Sequence, residues 1–185
     1  MTFRKFSLVP FPFEGDVPGI RIEGSIGREA DRLSVRWDIL GKLSDLSLPA
    51  RGTFPARKDR LWEETCFELF LGPAGSERYW EFNLSPSGNW NVYRFESVRT
   101  GMEIEPGFSA MPFDVLVEPD ALRLSLDADI GKLAAAGESL EAGIAAVIKT
   151  KKGGTSHWAL AHPGSRPEFH RREGFQLTLP GADRS

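Results

Sequence analysis

Three apolar runs between residues 66 and 95 alternate so strictly that they read as β-strands. A strand sends successive side chains to opposite faces. In the first run, CFELFL, the residues Phe67, Leu69 and Leu71 share one face, and Cys66, Glu68 and Phe70 share the other. In the second, YWEFNL, Trp80, Phe82 and Leu84 oppose Tyr79, Glu81 and Asn83. In the third, Trp90 and Val92 oppose Asn91 and Tyr93. The turn SPSGN at 85–89 joins the last two runs into a hairpin. One surface thus gathers carboxylates, amides and aromatic rings. It is either an ordinary solvated face or a binding face, and alternation alone leaves both readings open.

The same period recurs along the chain. Residues 20–26 alternate Ile20 and Ile22 against Arg21 and Glu23, and Leu33, Val35, Trp37 and Ile39 alternate with Ser34, Arg36 and Asp38. Further runs lie at 115–118, 122–128, 156–161 and 175–179. The run at 140–148 has small residues on both faces, the pattern of a buried central strand. Residues 41–60, with Pro49 and Pro55, read as a long surface loop. One stretch, DIGKLAAAGE at 129–138, has a capping Asp129, helix-favouring alanines and a terminating Gly137, so a short helix is expected there. The expectation is one domain over 1–185: an all-β, single antiparallel β-sandwich of about ten strands with one short helix.

Composition narrows the function classes. The net charge of -3 gives no nucleic-acid footprint, and the basic clusters at 149–152 and 166–172 read as solvated loops. Cys66 is the single cysteine, so an intrachain disulfide is excluded. No apolar run approaches the roughly 20 residues that cross a bilayer, and Pro10, Pro12 and Glu14 interrupt any signal-peptide core. No membrane association and a cytoplasmic location are the expectations. No protein partner is legible.

Motifs for catalysis are weak. His157, His162 and His170 have spacings that match no standard zinc pattern. The chain has no G-x-S-x-G turn, and KKGGTSH at 151–157 lacks the order of a phosphate loop. Cys66 with a histidine is a conceivable nucleophile pair, but a mid-strand cysteine packs. Glu68 and Glu81 are weighed as a glycosidase pair and set against a solvated face or a binding role. Trp62 and Trp158 lie near strand edges, where an indole either stacks on the apolar face of a sugar or plugs the end of a sandwich core.

LWEETCFELFLGP, YWEFNLSPSGNWNVYRF and HWALAHPGSRPEFHRREGFQLTL together resemble the DOMON-like superfamily, and within it the relatives of family 9 carbohydrate-binding modules. The likeness covers about residues 19–180. It implies an antiparallel β-sandwich with a ligand on a concave sheet face and no intrinsic catalysis. In sugar-binding members two tryptophans sandwich a terminal sugar while polar strand residues hold its hydroxyls. Trp62 falls where the first would be, with Glu68 at the matching offset, and Trp158 is the counterpart for the second. Glu81, Asn83 and Asn91 would share that face. The expected ligand is a carbohydrate or polyol, with no cofactor. Haem-binding members use axial Met with His or Lys, for which Met102, Met111, His157 and His162 are the available residues. An interaction domain without a small ligand is the third class.

Overall fold

The computed structural model describes residues 1–12 and 17–182. Among them run twelve strands: β1 (Thr2–Pro10), β2 (Ile20–Glu29), β3 (Arg32–Gly41), β4 (Cys66–Pro73), β5 (Tyr79–Leu84), β6 (Trp90–Phe95), β7 (Glu103–Ile104), β8 (Phe113–Val117), β9 (Ala121–Asp129), β10 (Leu140–Lys149), β11 (Thr155–Ala159) and β12 (Leu177–Leu179). The first layer is ordered β8-β9-β3-β2-β1 and the second β7-β6-β5-β4-β10-β11. The pairings that build them are antiparallel. β1 joins the layers. Its residues Thr2–Leu8 pair β2, and Val9 and Pro10 pair Ala159 and Trp158 of β11.

The period-two pattern explains the packing. Ile22, Ile26, Leu33, Val35, Trp37, Ile39, Leu122, Leu124 and Leu126 of the first layer are buried with Phe67, Leu69, Leu71, Trp80, Phe82, Leu84 and Ile144 of the second in one cluster. Burying each large side chain stabilises the fold by about 1.5–3 kcal/mol. The fold is a β-sandwich.

β10 is flanked by β4 along one edge; β11 and β12 lie along the other, end to end. Residues 160–176 connect those two strands. They leave the sheet and return to it across the outer face of the second layer, and Phe175 lies directly on Gly143 of β10. A Cβ built there would stand 2.7 Å from the Phe175 ring.

The stretch 129–138 is not a helix. It forms hydrogen-bonded turns, with Leu133 and Ala134 N–H groups donating to the Ile130 carbonyl and Glu138 N–H to the Ala135 carbonyl. Two features override the local propensity. Ile130 and Ala134 are anchored in the core. The Arg28 side chain donates to the carbonyls of Ala30, Ala135 and Glu138, which ties the turns at 135–138 to the end of β2. Helical geometry among the described residues is limited to three 3-10 turns, Leu43–Asp45, Leu61–Glu63 and Arg172–Gly174. β1 and the short β7 were not expected from the sequence.

Candidate ligand-binding site

On the outer face of the second layer, register sets the side chains. Glu68 stands opposite Asn83, which stands opposite Asn91; Phe70 stands opposite Glu81, which stands opposite Tyr93. Glu68 and Glu81 are therefore diagonal neighbours on adjacent antiparallel strands, close enough for their carboxylates to interact. The face is not solvated. Glu68 is 3% exposed and Glu81 4%. Both open into a cavity of about 280 Å³, walled by Trp62, Phe95, Arg99, His157, Phe169 and His170.

Three segments build the walls. The 3-10 turn Leu61–Glu63 starts from Arg60 in the left-handed region (φ 60°) and buries Leu61, which leaves Trp62 half-buried at the rim, edge-on to Tyr93. The turn after β6 holds Arg99 at φ 54°, a conformation that few non-glycine residues adopt. There Arg99 Nε donates to Glu168 Oε2 at 2.8 Å, tying the turn to the 160–176 crossover. The crossover presents Phe169 and His170, which pack against Phe70.

The polar groups are not equivalent. Asn83, with no exposure, donates from Nδ2 to Glu81 Oε1 at 2.8 Å and accepts the Cys66 thiol. It holds Glu81 from beneath and does not reach the cavity. The carboxylate of Glu68 makes no hydrogen bond among the described residues. Burial, followed by the neighbouring Glu81 charge, pushes Glu68 well above the usual carboxylate range. Burial pushes Glu81 up to about 7, against the Asn83 hydrogen bond and the Arg99 charge. Burial and Arg99 push His170 down to about 4, so its ring is neutral near neutral pH.

Tyr79 fixes the tautomer of that ring. Its hydroxyl accepts the Arg99 backbone N–H at 3.2 Å and lies 2.8 Å from His170 Nδ1. Burial raises Tyr79 to about 12, so it keeps its proton. The arrangement that uses every group has Tyr79 donating to Nδ1, with the imidazole proton on Nε2, 3.9 Å from Glu81 Oε2.

Trp62, Glu68 and Glu81 thus share the cavity, with Asn83 directly below it. Asn91 is on the same face but engaged: Oδ1 accepts Arg57, and Nδ2 donates to Asp59 and Tyr93. Trp158 is on the opposite face. Its indole is 4% exposed within the core and donates to Ser156 Oγ. Its neighbour His157 faces the cavity instead. Arg99, Phe95 and Phe169 are wall residues that sequence reasoning did not select, and it weighs His157 and His170 only as metal or haem ligands. Of the methionines weighed as haem ligands, Met102 lines the cavity and Met111 is buried in the core. His162 Nε2 lies 2.9 Å from the Val9 carbonyl. Among the described residues no group of three or more His, Cys, Asp or Glu side chains is arranged to hold a metal ion.

No protein-family model matches the sequence, and no curated protein matches it. Solved structures match the fold. A candidate carbohydrate-binding protein from Bacteroides uniformis aligns with a TM-score of 0.71 at 15% identity, over 98% of this chain and 86% of that one. A family 9 carbohydrate-binding module from Caldicellulosiruptor kristjanssonii aligns in two structures. The glucose complex gives a TM-score of 0.55 at 10% identity, covering 92% of this chain and 81% of that one. The cellotriose complex gives 0.55 at 11%, covering 95% and 82%. At these identities the likeness is one of fold: the chain shares the sandwich of family 9 carbohydrate-binding modules.

Proposed function

We propose that the protein is a non-catalytic binding module that holds a carbohydrate or similar polyol in the cavity over Glu68 and Glu81. The observation that carries this reading is the Glu68 carboxylate, buried at the cavity surface with no hydrogen bond among the described residues. An acceptor that faces a cavity and has no protein donor is open to a donor from a ligand. A ligand rich in hydroxyl donors supplies it. The same ligand needs an apolar face for the rings of Trp62 and Phe169, and a pyranose offers both. The cavity lies near the lower end of the usual range for small-molecule sites, about 300–1,000 Å³. The glucose and cellotriose bound by the family 9 module of the same fold support this ligand class.

The carboxylate geometry argues against glycoside hydrolysis. Glycosidase carboxyls flank the scissile bond, one held protonated and the other ionised. Here both lie on one floor and both are pushed in the same direction. A haem reading has one supporting observation, that Met102 and His157 line the same cavity. The floor between them is a poor match, because an apolar porphyrin face would cover two carboxylates and offer them no donor.

A glycan array followed by titration calorimetry tests the proposal. Glu68→Leu keeps the volume and removes the acceptors, and should weaken the best glycan about tenfold or more while the protein stays folded. Unchanged affinity refutes the site. A Soret band in the freshly purified protein would favour haem instead.

A further inference from the structure

Charge balance in the cavity goes further than shape. Arg99 is the cation among the wall residues, and it is already neutralised by Glu168 at 2.8 Å. Glu168 is engaged a second time, accepting the His170 backbone N–H. The His170 ring is tied to Tyr79. Arg99 also acts on both floor carboxyls, so one guanidinium serves Glu168, Glu68 and Glu81 together and the floor is short of positive charge among the described residues. Asn83 aims an N–H at Glu81 Oε1, an arrangement that suits a carboxylate acceptor. The walls add the aromatic rings of Trp62, Phe95 and Phe169, and a ring attracts a cation held over its face.

Resting on the carbohydrate reading, we infer that the preferred ligand is a sugar bearing a protonated amine, with the ammonium between Glu68 and Glu81. The ammonium brings both the missing charge and the missing donors. It compensates two diagonal carboxylates with N–H bonds, and the ring's hydroxyls remain for the walls. A neutral sugar supplies donors without charge. A metal ion asks for more ligands than the floor provides.

The inference has a proton signature. Burial holds protons on the two floor carboxyls to unusually high pH. An ammonium between them favours their ionised forms, so its binding expels protons and strengthens as pH rises from 5 to 7. The titratable and charged groups around the floor are His157 on β11, Tyr79 on β5, Cys66 beside Glu68 on β4, Arg99 on the turn after β6 and His170 on the crossover, with Glu168 behind Arg99 and His170. His170 is already neutral across most of that window.

Titration calorimetry of the whole protein with glucose, N-acetylglucosamine and glucosamine provides the test, at pH 5 and 7 and in buffers of different ionisation enthalpy. Glucosamine should bind about tenfold or more tightly than the other two at pH 7, and more weakly at pH 5. It should release protons, where glucose releases none. In Glu68→Gln and Glu81→Gln, which retain acceptors and remove charge, the amine preference should shrink while glucose binding persists. Equal or tighter binding of glucose or N-acetylglucosamine by the unaltered protein overturns the amine inference and leaves the carbohydrate reading standing. Binding of none of the three sinks both.

Discussion

Glu81 is a carboxylate that burial keeps protonated up to about 7, whereas an unfolded chain releases that proton near 4.5. Between those values the folded state holds a proton that the unfolded state has lost, so the Glu81 contribution to stability is lost as pH rises through the window. His170 has the opposite sign. Its folded ring resists protonation until about 4 while the unfolded ring takes up a proton near 6.5, so its contribution is lost as pH falls. Glu81→Gln isolates the first effect. The melting advantage of the variant over the unaltered protein should grow from pH 5 to pH 8, approaching a limit of about 3 kcal/mol. An advantage that is flat across pH would contradict the burial of this carboxylate. At this scale the sequence was partly legible. Alternation placed Glu68, Glu81 and Asn83 on one face, because register in a strand has period two. It did not reveal that the face is covered, since the covering residues Phe169 and His170 arrive from about ninety positions away. Trp158 shows the other limit: alternation separates His157 from Trp158 but does not say which of them points inward.

Among the elements, the 160–176 crossover decides whether the outer face is open or walled. Its seat is Gly143, which lets the Phe175 ring approach β10. Gly143→Ala places a methyl 2.7 Å from that ring, so Phe175 must move. Overpacking of this kind costs about 1–3 kcal/mol. Denaturant unfolding should show that loss, and titration should show weaker ligand binding, because Phe169 and His170 move with Phe175. No change in either would mean that the crossover does not form the wall. A second element, the 41–60 loop, is held by Arg57. Its guanidinium bonds Asn91 Oδ1 and the Glu105 and Phe108 carbonyls, and stacks over Trp90 at 4.3 Å. Arg57→Ala should lower stability by about 1–3 kcal/mol, measured by denaturant unfolding, because Asn91 loses a buried partner. An unchanged midpoint would remove the clamp. The loop was readable from Pro49 and Pro55. The clamp was not, because it joins residues far apart in sequence. The helix expected at 129–138 failed for a similar reason: alanine propensity is worth tenths of a kcal/mol per residue, and two core anchors with one arginine outweigh it.

For the molecule as a whole, apolar alternation specifies the sandwich, and on the proposed reading a few polar residues on one outer face specify the ligand. The fold was legible because β2, β3, β4, β5, β6 and β9 repeat the same two-residue signal toward one core. β1 was harder to read because it is apolar on parts of both faces, with Phe6 and Leu8 buried and Phe3 and Val9 exposed. The most direct measurement is a crystal structure of the protein soaked with glucosamine and, separately, with glucose. Sugar density is expected over the Glu68–Glu81 floor, with the ring against Trp62 or Phe169 and, for glucosamine, the nitrogen within hydrogen-bond distance of a floor carboxylate. A sugar bound elsewhere with this cavity empty, on the exposed face of the β2–β3 layer for example, would contradict the assignment of the site.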